Sequence, residues 1–501
     1  MSAMMTLPQV SAWLKQTQPV SVGQMDAGVV IQRVHTDTRS IEAGDLFVAL
    51  RGERFDANDF LQEAKRKGAV AAICQGDSAA AKLEQAGLPG WVVADAKLAL
   101  AELATHWRAQ FTLALIAVTG SNGKTTVTQM IASILRAWQG DASLATQGNL
   151  NNDIGVPLTV LRLRAQHRVA VVELGMNHPG EIATLARIAQ PSVALVNNAQ
   201  REHLEFMATV DAVAQENGAV IDALPADGVA VFPLDDSYSA LWADKAGARP
   251  SLCFAETVVT ASDAGQSKQN GWHHSVRNDA CGVLPVAVCA TQARWSEAAW
   301  QVSAVTPAGE IHYALHIAGA HNVKNSLAAV ACALAAGAPL RAIVAGLGAF
   351  EPVKGRSRAL LVTYQGRALT LVDDSYNANP DSVRAAIEVL ADLPAPRLLV
   401  LGDMGEVGNQ GPEFHAEALQ LALEKNIEKV LVTGVASVQA AMNFKSIEAY
   451  SEMTALQAAV RTSLPAVASV LVKGSRFMKM EQVVEAIRAA ADVANEGTPA
   501  C

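Results

Sequence analysis

The stretch Thr119-Gly120-Ser121-Asn122-Gly123-Lys124-Thr125-Thr126 constrains this chain more than any other. Leu113 to Val118 precedes it with the length of a buried strand, and Val127 to Leu135 follows with apolar positions at helical spacing. Strand, glycine loop and helix in that order point several backbone N–H groups into one hollow at the positive end of a helix, an anion site suited to phosphates. Lys124 can then meet the outer phosphates and the Thr125 hydroxyl can hold magnesium. The common phosphate loop reads G-x-x-x-x-G-K-[ST]; Val118 stands where its first Gly belongs, so this is a shorter G-x-x-G-K-T form. The loop predicts ATP or GTP and leaves open how its energy is used.

With 501 residues, half of them hydrophobic, the chain can build several domains with sizeable cores. A net charge of −9 without a Lys/Arg block argues against nucleic acid as the main partner. Cys74, Cys253, Cys281, Cys289, Cys332 and Cys501 show no C-x-x-C spacing and read as reduced thiols. Met1 to Gln18 has no apolar signal core, and no run of about 18 apolar residues occurs. The expectation is a cytoplasmic protein with no membrane span.

Along residues 1–110, strand-like runs at Leu46–Leu50, Ala69–Ile73 and Trp91–Val93 alternate with helical patterns at Phe60–Lys67 and Lys97–Gln110, which predicts a small α/β domain. From 111 to 352 the same alternation favours a mostly parallel sheet with ligand at the carboxyl ends of its strands. Arg168–Val172 leads into Glu173, and Ser192–Val196 leads into Asn197-Asn198, with His203 and Glu205 just after. Glu173 is placed either to cap a helix or to offer magnesium an oxygen, and His203 gains a metal role only beside it. Residues 256–301 read as a polar, solvated insertion, and His273-His274 within it has no flanking ligand pair. Asn322 and Asn325 stand at the entrance of a small-residue helix, where they can cap it.

Residues 353–501 predict a third, doubly wound Rossmann-like domain with strands at Leu369–Val372, Arg397–Leu401, Lys429–Val432 and Ser469–Val472. Their ends carry Asp373 to Pro380, Gly402 to Glu406 and Lys473 to Arg476, all on the ligand side of such a sheet.

Thr119 to Thr126, Glu173-Leu174-Gly175-Met176, Gly319 to Asn325, Gly355-Arg356 and Asp374 to Pro380 together resemble the Mur ligases of peptidoglycan synthesis, across essentially the whole chain. Within that family, Asp374 to Pro380, Leu401 to Glu406 and Val472 to Arg476 resemble the members that add D-alanyl-D-alanine. The resemblance implies a three-domain ATP- and magnesium-dependent amide ligase, a monomer. Its first domain would bind UDP-N-acetylmuramoyl-tripeptide, its central domain ATP, and its third would close with the dipeptide. A γ-phosphoryl transfer would give an acyl phosphate that the dipeptide amine attacks.

By the same resemblance, Lys124, Glu173, His203 and Arg356 are the catalytic set, and Thr125, Glu173 and His203 the magnesium set. Gly120 to Thr126, Asn322, Asn325, Arg356, Asp374 and Tyr376 surround ATP. Thr36, Asp37, Arg39, Asn58 and Asp59 match uridine-nucleotide loops, and Asn149, Asn151 and Asn152 a muramyl-contacting segment. Asn377, Asn379, Lys473, Ser475 and Arg476 match the dipeptide side. The family's carbamylated lysine, in a V-A-x-x-K-G stretch, is replaced here by Asn217 in Val213 to Gly218. Glu216, a water on Asn217, or His203 with substrate oxygens are the candidate substitutes. Other readings are another ligase of this fold, such as the third-residue muramyl ligase or folylpolyglutamate synthase, or a regulatory GTPase, for which the N-K-x-D motif is missing.

Overall fold

The computed structural model of the chain describes residues 3–52, 55–256, 286–296 and 299–496. Among them the apolar runs pair into sheets of five, nine and six strands, with a short antiparallel pair, Met5–Thr6 and Val30–Ile31, near the start. The expected α/β architecture with mainly parallel sheets is what forms.

The first sheet runs in the order Val20–Val22, Gly90–Val93, Ala71–Gln75, Asp45–Val48, Arg33–His35, all parallel except the first pair. Helix Ala96–Arg108 leaves it, its first N–H groups accepted by the Asp95 carboxylate. This helix ties the first lobe to the second. Trp107 Nε1 donates to the Leu163 carbonyl at 3.2 Å, and the buried Arg108 satisfies its guanidinium on carbonyls of Ala189, Gln190 and Phe111. Leu46 and Trp91 of the first sheet belong to the same apolar core as Val172, Ile182 and Trp242 of the second lobe.

In the central sheet Ser143–Ala145, Val169–Glu173, Ala114–Thr119, Val193–Val196, Val229–Pro233, Ser251–Ala255 and Val286–Ser296 lie parallel in that spatial order. Two antiparallel strands, Ala299–Thr306 and Gly309–Leu315, complete it. Ala114–Thr119 is flanked on both edges and covered on both faces, so it reads as a continuous apolar run. Strand order reverses beside it, and the carboxyl ends of three adjacent strands deliver the glycine loop, Glu173 and Asn197 to one place.

The expected insertion at 256–301 is corrected in its second part, since Val286–Ser296 and Ala299–Thr306 are strands of this sheet. Along the latter, Ala299, Val302, Ala304 and Thr306 are buried while Gln301 and Val305 face outward. Apolar residues make up most of both strands, so the polar character of the segment comes from the stretch ahead of them in the sequence. His273, His274, Cys281 and Cys501 lie outside the described residues.

The third sheet runs Arg358–Tyr364, Arg367–Asp374, Ser469–Lys473, Arg397–Leu401, Lys429–Thr433, Ile447–Tyr450, antiparallel only in its first pair. It carries its own apolar clusters, one centred on Leu399 and Ile387 and the other on Val400 and Ile487. Glu173, Asp374 and Lys473 are final strand residues, and Asn322 and Asn325 lie inside helix His321–Ala335 rather than ahead of it.

Candidate active site

The glycine loop needs its glycines for closeness as much as for conformation. Gly120 and Gly123 have φ of +131° and +81°, and a Cβ on Gly123 would fall 2.6 Å from Asn325 Oδ1. Neighbouring amides fix the loop. The Asn122 N–H donates to Asn198 Oδ1 at 2.9 Å, its carbonyl accepts from Asn197 Nδ2 at 2.8 Å, and its side chain donates to Gln200 Oε1 at 2.6 Å. Asn197 also donates to Asn325 Oδ1 at 3.0 Å, and Asn325 to Asn322 Oδ1 at 2.9 Å. Asn322 and Asn325 therefore brace the loop from the helix behind it.

Lys124 Nζ folds back on the carbonyls of Gly120 and Ser121 at 2.6 and 3.0 Å and pairs with Glu202 at 2.6 Å. Glu202 Oε1 also lies 3.4 Å from His203 Nε2, while His203 Nδ1 is 2.5 Å from Glu406 Oε2 of the third lobe. Burial pulls the imidazole pKa down, but these two carboxylates outweigh it and push it up to about 9. In this arrangement both ring nitrogens of His203 face carboxylates rather than Glu173.

Glu173 is buried at the end of its strand. Its Oε1 accepts from the Thr125 hydroxyl at 3.0 Å and from Asn151 Nδ2 at 2.8 Å, while Oε2 is buried without a hydrogen-bond partner. An unpaired carboxylate oxygen beside a threonine hydroxyl is a donor set that fits a hard divalent cation. Among the described residues no three His, Cys, Asp or Glu side chains converge as a ready-made metal cage.

Asn217 and Glu216 have other work. Asn217 is fully buried, and its Oδ1 accepts from the Thr119 hydroxyl at 2.7 Å and the Gly120 N–H at 3.0 Å. Glu216 accepts the N–H groups of Gly180 and Ile182, both at 2.8 Å, capping helix Glu181–Ala189. Glu216, one of the three candidate substitutes for the missing lysine, has both oxygens engaged at that helix terminus.

The third lobe forms the opposite wall. Arg356 lies with its guanidinium carbon 4.3 Å from the Tyr376 ring centroid, Arg476 approaches the same ring at 5.4 Å, and Arg356 has no carboxylate partner among the described residues. Asp374 accepts from Lys473 Nζ at 2.6 Å and from the Ser357 N–H at 2.9 Å. Lys473 also donates to the Asn377 carbonyl at 2.9 Å. Asn379 caps helix Pro380–Ala391 through Ser382 and reaches across to Asn122 Oδ1 at 2.9 Å.

These two walls enclose a cleft of about 860 Å³. It brings together the loop from Ser121 to Thr126, Asn149, Asn151, Asn152, Glu173 and His203 with Asn322, Asn325, Arg356, Asp374, Tyr376, Asn377, Asn379 and Lys473. Gly120, Ser475 and Arg476 do not line it, and neither do Thr36, Asp37, Arg39, Asn58 and Asp59. Those five lie in the first lobe, in or just after the loops that leave strands Arg33–His35 and Asp45–Val48. There Arg39 pairs with Asp37 at 2.6 Å, Lys82 with Asp59 at 2.7 Å, and Asn58 donates to the Gln75 carbonyl at 2.8 Å. Gln200, Arg201 and Glu202 carry no local signal in the sequence, because their partners are remote in the chain.

Three family sequence models match: "Mur ligase family, catalytic domain" over residues 30–108, "Mur ligase middle domain" over 118–333, and "Mur ligase, glutamate ligase domain" over 355–476. The UDP-N-acetylmuramoyl-tripeptide--D-alanyl-D-alanine ligase of Escherichia coli is 36% identical over 482 residues, covering 96% of this chain and 99% of that protein. The Bacillus subtilis protein of the same name is 31% identical, covering 91% and 93%. A crystal structure of MurF from Acinetobacter baumannii superposes with a TM-score of 0.82 at 32% identity, covering 97% of this chain and 98% of that one.

Proposed function

The chain belongs to the Mur ligase family, and from that premise we propose that it joins D-alanyl-D-alanine to UDP-N-acetylmuramoyl-tripeptide at the expense of ATP. One observation carries this reading: a phosphate loop and Arg356, which has no carboxylate partner among the described residues, face the same cleft from different lobes.

A carboxylate resists attack by an amine because oxide would have to leave. Transfer of a γ-phosphoryl group onto the tripeptide carboxylate gives an acyl phosphate, and phosphate then leaves when the dipeptide amine attacks. The protein's part is to hold positive charge around the moving phosphoryl and to keep water out. Lys124 exchanges Glu202 and two loop carbonyls for phosphate oxygens. Arg356, held over Tyr376 and bound to no carboxylate among the described residues, swings in from the linker side. Asn322 and Asn325 set the nucleotide wall, and Asp374, pinned by Lys473 and Ser357, offers a fixed acceptor beside it.

Thr125 and Glu173 are the residues that would hold magnesium, whose charge neutralises phosphate oxygens and polarises the phosphoryl group. His203 is engaged by Glu202 and Glu406 and serves first as a bridge between lobes. The division proposed is residues 1–110 for the uridine nucleotide, through Thr36, Asp37, Arg39, Asn58 and Asp59, then 111–352 for ATP, and 353–501 for the dipeptide, near Asn377 and Lys473. Asn149, Asn151 and Asn152 lie where the tripeptide would pass between the first and central lobes. A cytoplasmic site of action fits these soluble substrates, and among the described residues no helix is long and apolar enough to cross a membrane.

The test is phosphate release with UDP-muramyl-tripeptide and ATP, comparing D-alanyl-D-alanine with single amino acids. Turnover with the dipeptide is expected; turnover with a single amino acid alone overturns the assignment.

A further inference from the structure

Residues 200 to 203 form a short strap whose members grip the two walls of the cleft by turns. The Gln200 N–H donates to Ser121 Oγ at 2.8 Å and its side chain accepts from Asn122 at 2.6 Å, while Glu202 holds Lys124 at 2.6 Å. Arg201 and His203 face the other lobe. The Arg201 N–H and its guanidinium donate to Asp381 at 2.8, 3.0 and 2.7 Å, and the guanidinium also reaches Glu417 at 2.9 and 3.2 Å. Its carbon lies 5.2 Å from the centroid of the Phe414 ring, and Arg384 pairs with the same Glu417. Next to His203, which meets Glu406, Leu204 packs against the apolar cluster of the third sheet.

None of the chemistry above requires Arg201, yet it satisfies two carboxylates from two helices of the third lobe, Pro380–Ala391 and Gly411–Glu424. A planar guanidinium can serve both at once, whereas an ammonium is a single point charge. Without it Asp381 would lose the guanidinium bonded to it, and Glu417 would keep Arg384. The strap is also bonded to the phosphate loop through Gln200 and Glu202, so the lobe and the loop are held by neighbouring peptides of one segment.

We propose that Arg201 is a positioning residue for the ligation: it docks the third lobe against the phosphate loop and so sets the place of the incoming dipeptide relative to the activated carboxylate. This rests on the reading that the third lobe brings the dipeptide.

The test compares the full chain with Arg201→Ala, Arg201→Lys, Asp381→Asn and the Arg201→Ala/Asp381→Asn double variant. Truncating one side of such an interlobe charge pair should lower kcat/KM for D-alanyl-D-alanine by about 30-fold or more, mainly through KM, with Arg201→Lys intermediate. ADP affinity by calorimetry should stay within about twofold of the parent, because the loop contacts of Gln200 and Glu202 are untouched. The double variant should lose no more than Arg201→Ala alone, and small-angle scattering should show a larger radius of gyration. Unchanged dipeptide KM, an unchanged radius, or an equal fall in ADP affinity overturns the proposal. If Arg201→Ala does not fold, Asp381→Asn and Arg201→Lys carry the same comparison. Scattering reports docking whichever amine the parent accepts, so failure of the dipeptide assignment remains distinguishable from failure of the strap.

Discussion

Asn217 Oδ1 takes the hydroxyl hydrogen of Thr119 at 2.7 Å and, with it, the N–H of Gly120 at 3.0 Å, so that a helix from the body of the central lobe fixes the first peptide of the phosphate loop. An amide at this position cannot take up carbon dioxide as a lysine amine can. Turnover is therefore expected to be the same in bicarbonate-depleted and bicarbonate-supplemented buffer. Asn217→Leu, close in volume but without the acceptor, strands a hydroxyl and a buried N–H at about 1–3 kcal/mol each. Calorimetry should show ADP binding weakened by at least about tenfold in that variant.

Glu173 Oε2 is buried and unpaired beside the Thr125 hydroxyl. Glu173→Gln keeps the shape and removes the charge. It should raise the magnesium concentration needed for half-maximal turnover and cut kcat by about 10²-fold, in the range for loss of one charge-stabilising group. Magnesium-dependent enhancement of ADP binding should vanish in the same variant, a readout that does not depend on turnover.

His203 gives a pH dependence whose sign is fixed by its partners. Its pKa rises from 6.5 to about 9 in the folded chain, because Glu202 and Glu406 outweigh burial. The stability this contributes is complete below pH 6.5 and is lost as pH rises through about 9. Denaturation midpoints measured from about pH 6 to about pH 10 should fall across that window, and His203→Gln should flatten the fall.

The parts of this molecule legible in the sequence are those with local causes. The strand before Thr119 shows itself because it is buried on both faces, and Glu173 and Asp374 show themselves because they end such strands. What could not be read depends on partners far along the chain. Arg201 and Asp381 are separated by 180 residues, and Lys124 and Glu202 by 78, so no spacing rule joins them. Glu216 is another case, because the start of helix Glu181–Ala189, which takes both its oxygens, lies more than 30 residues before it. Val286–Ser296 and Ala299–Thr306 are mostly apolar, but the polar stretch ahead of them dominates the composition of the segment.

The shared apolar core of the first two lobes has a consequence for how the chain can be divided. A break near residue 110 would split one cluster between two fragments, exposing Trp91 and Leu100 on one side and Val172 and Ile182 on the other. A break near residue 352 would sever mainly charge pairs and amide contacts and leave each fragment with its own closed interior. The two halves of such a nicked chain should be separately soluble and recombine in solution, with affinity that falls as salt rises, whereas fragments cut at the first junction should aggregate.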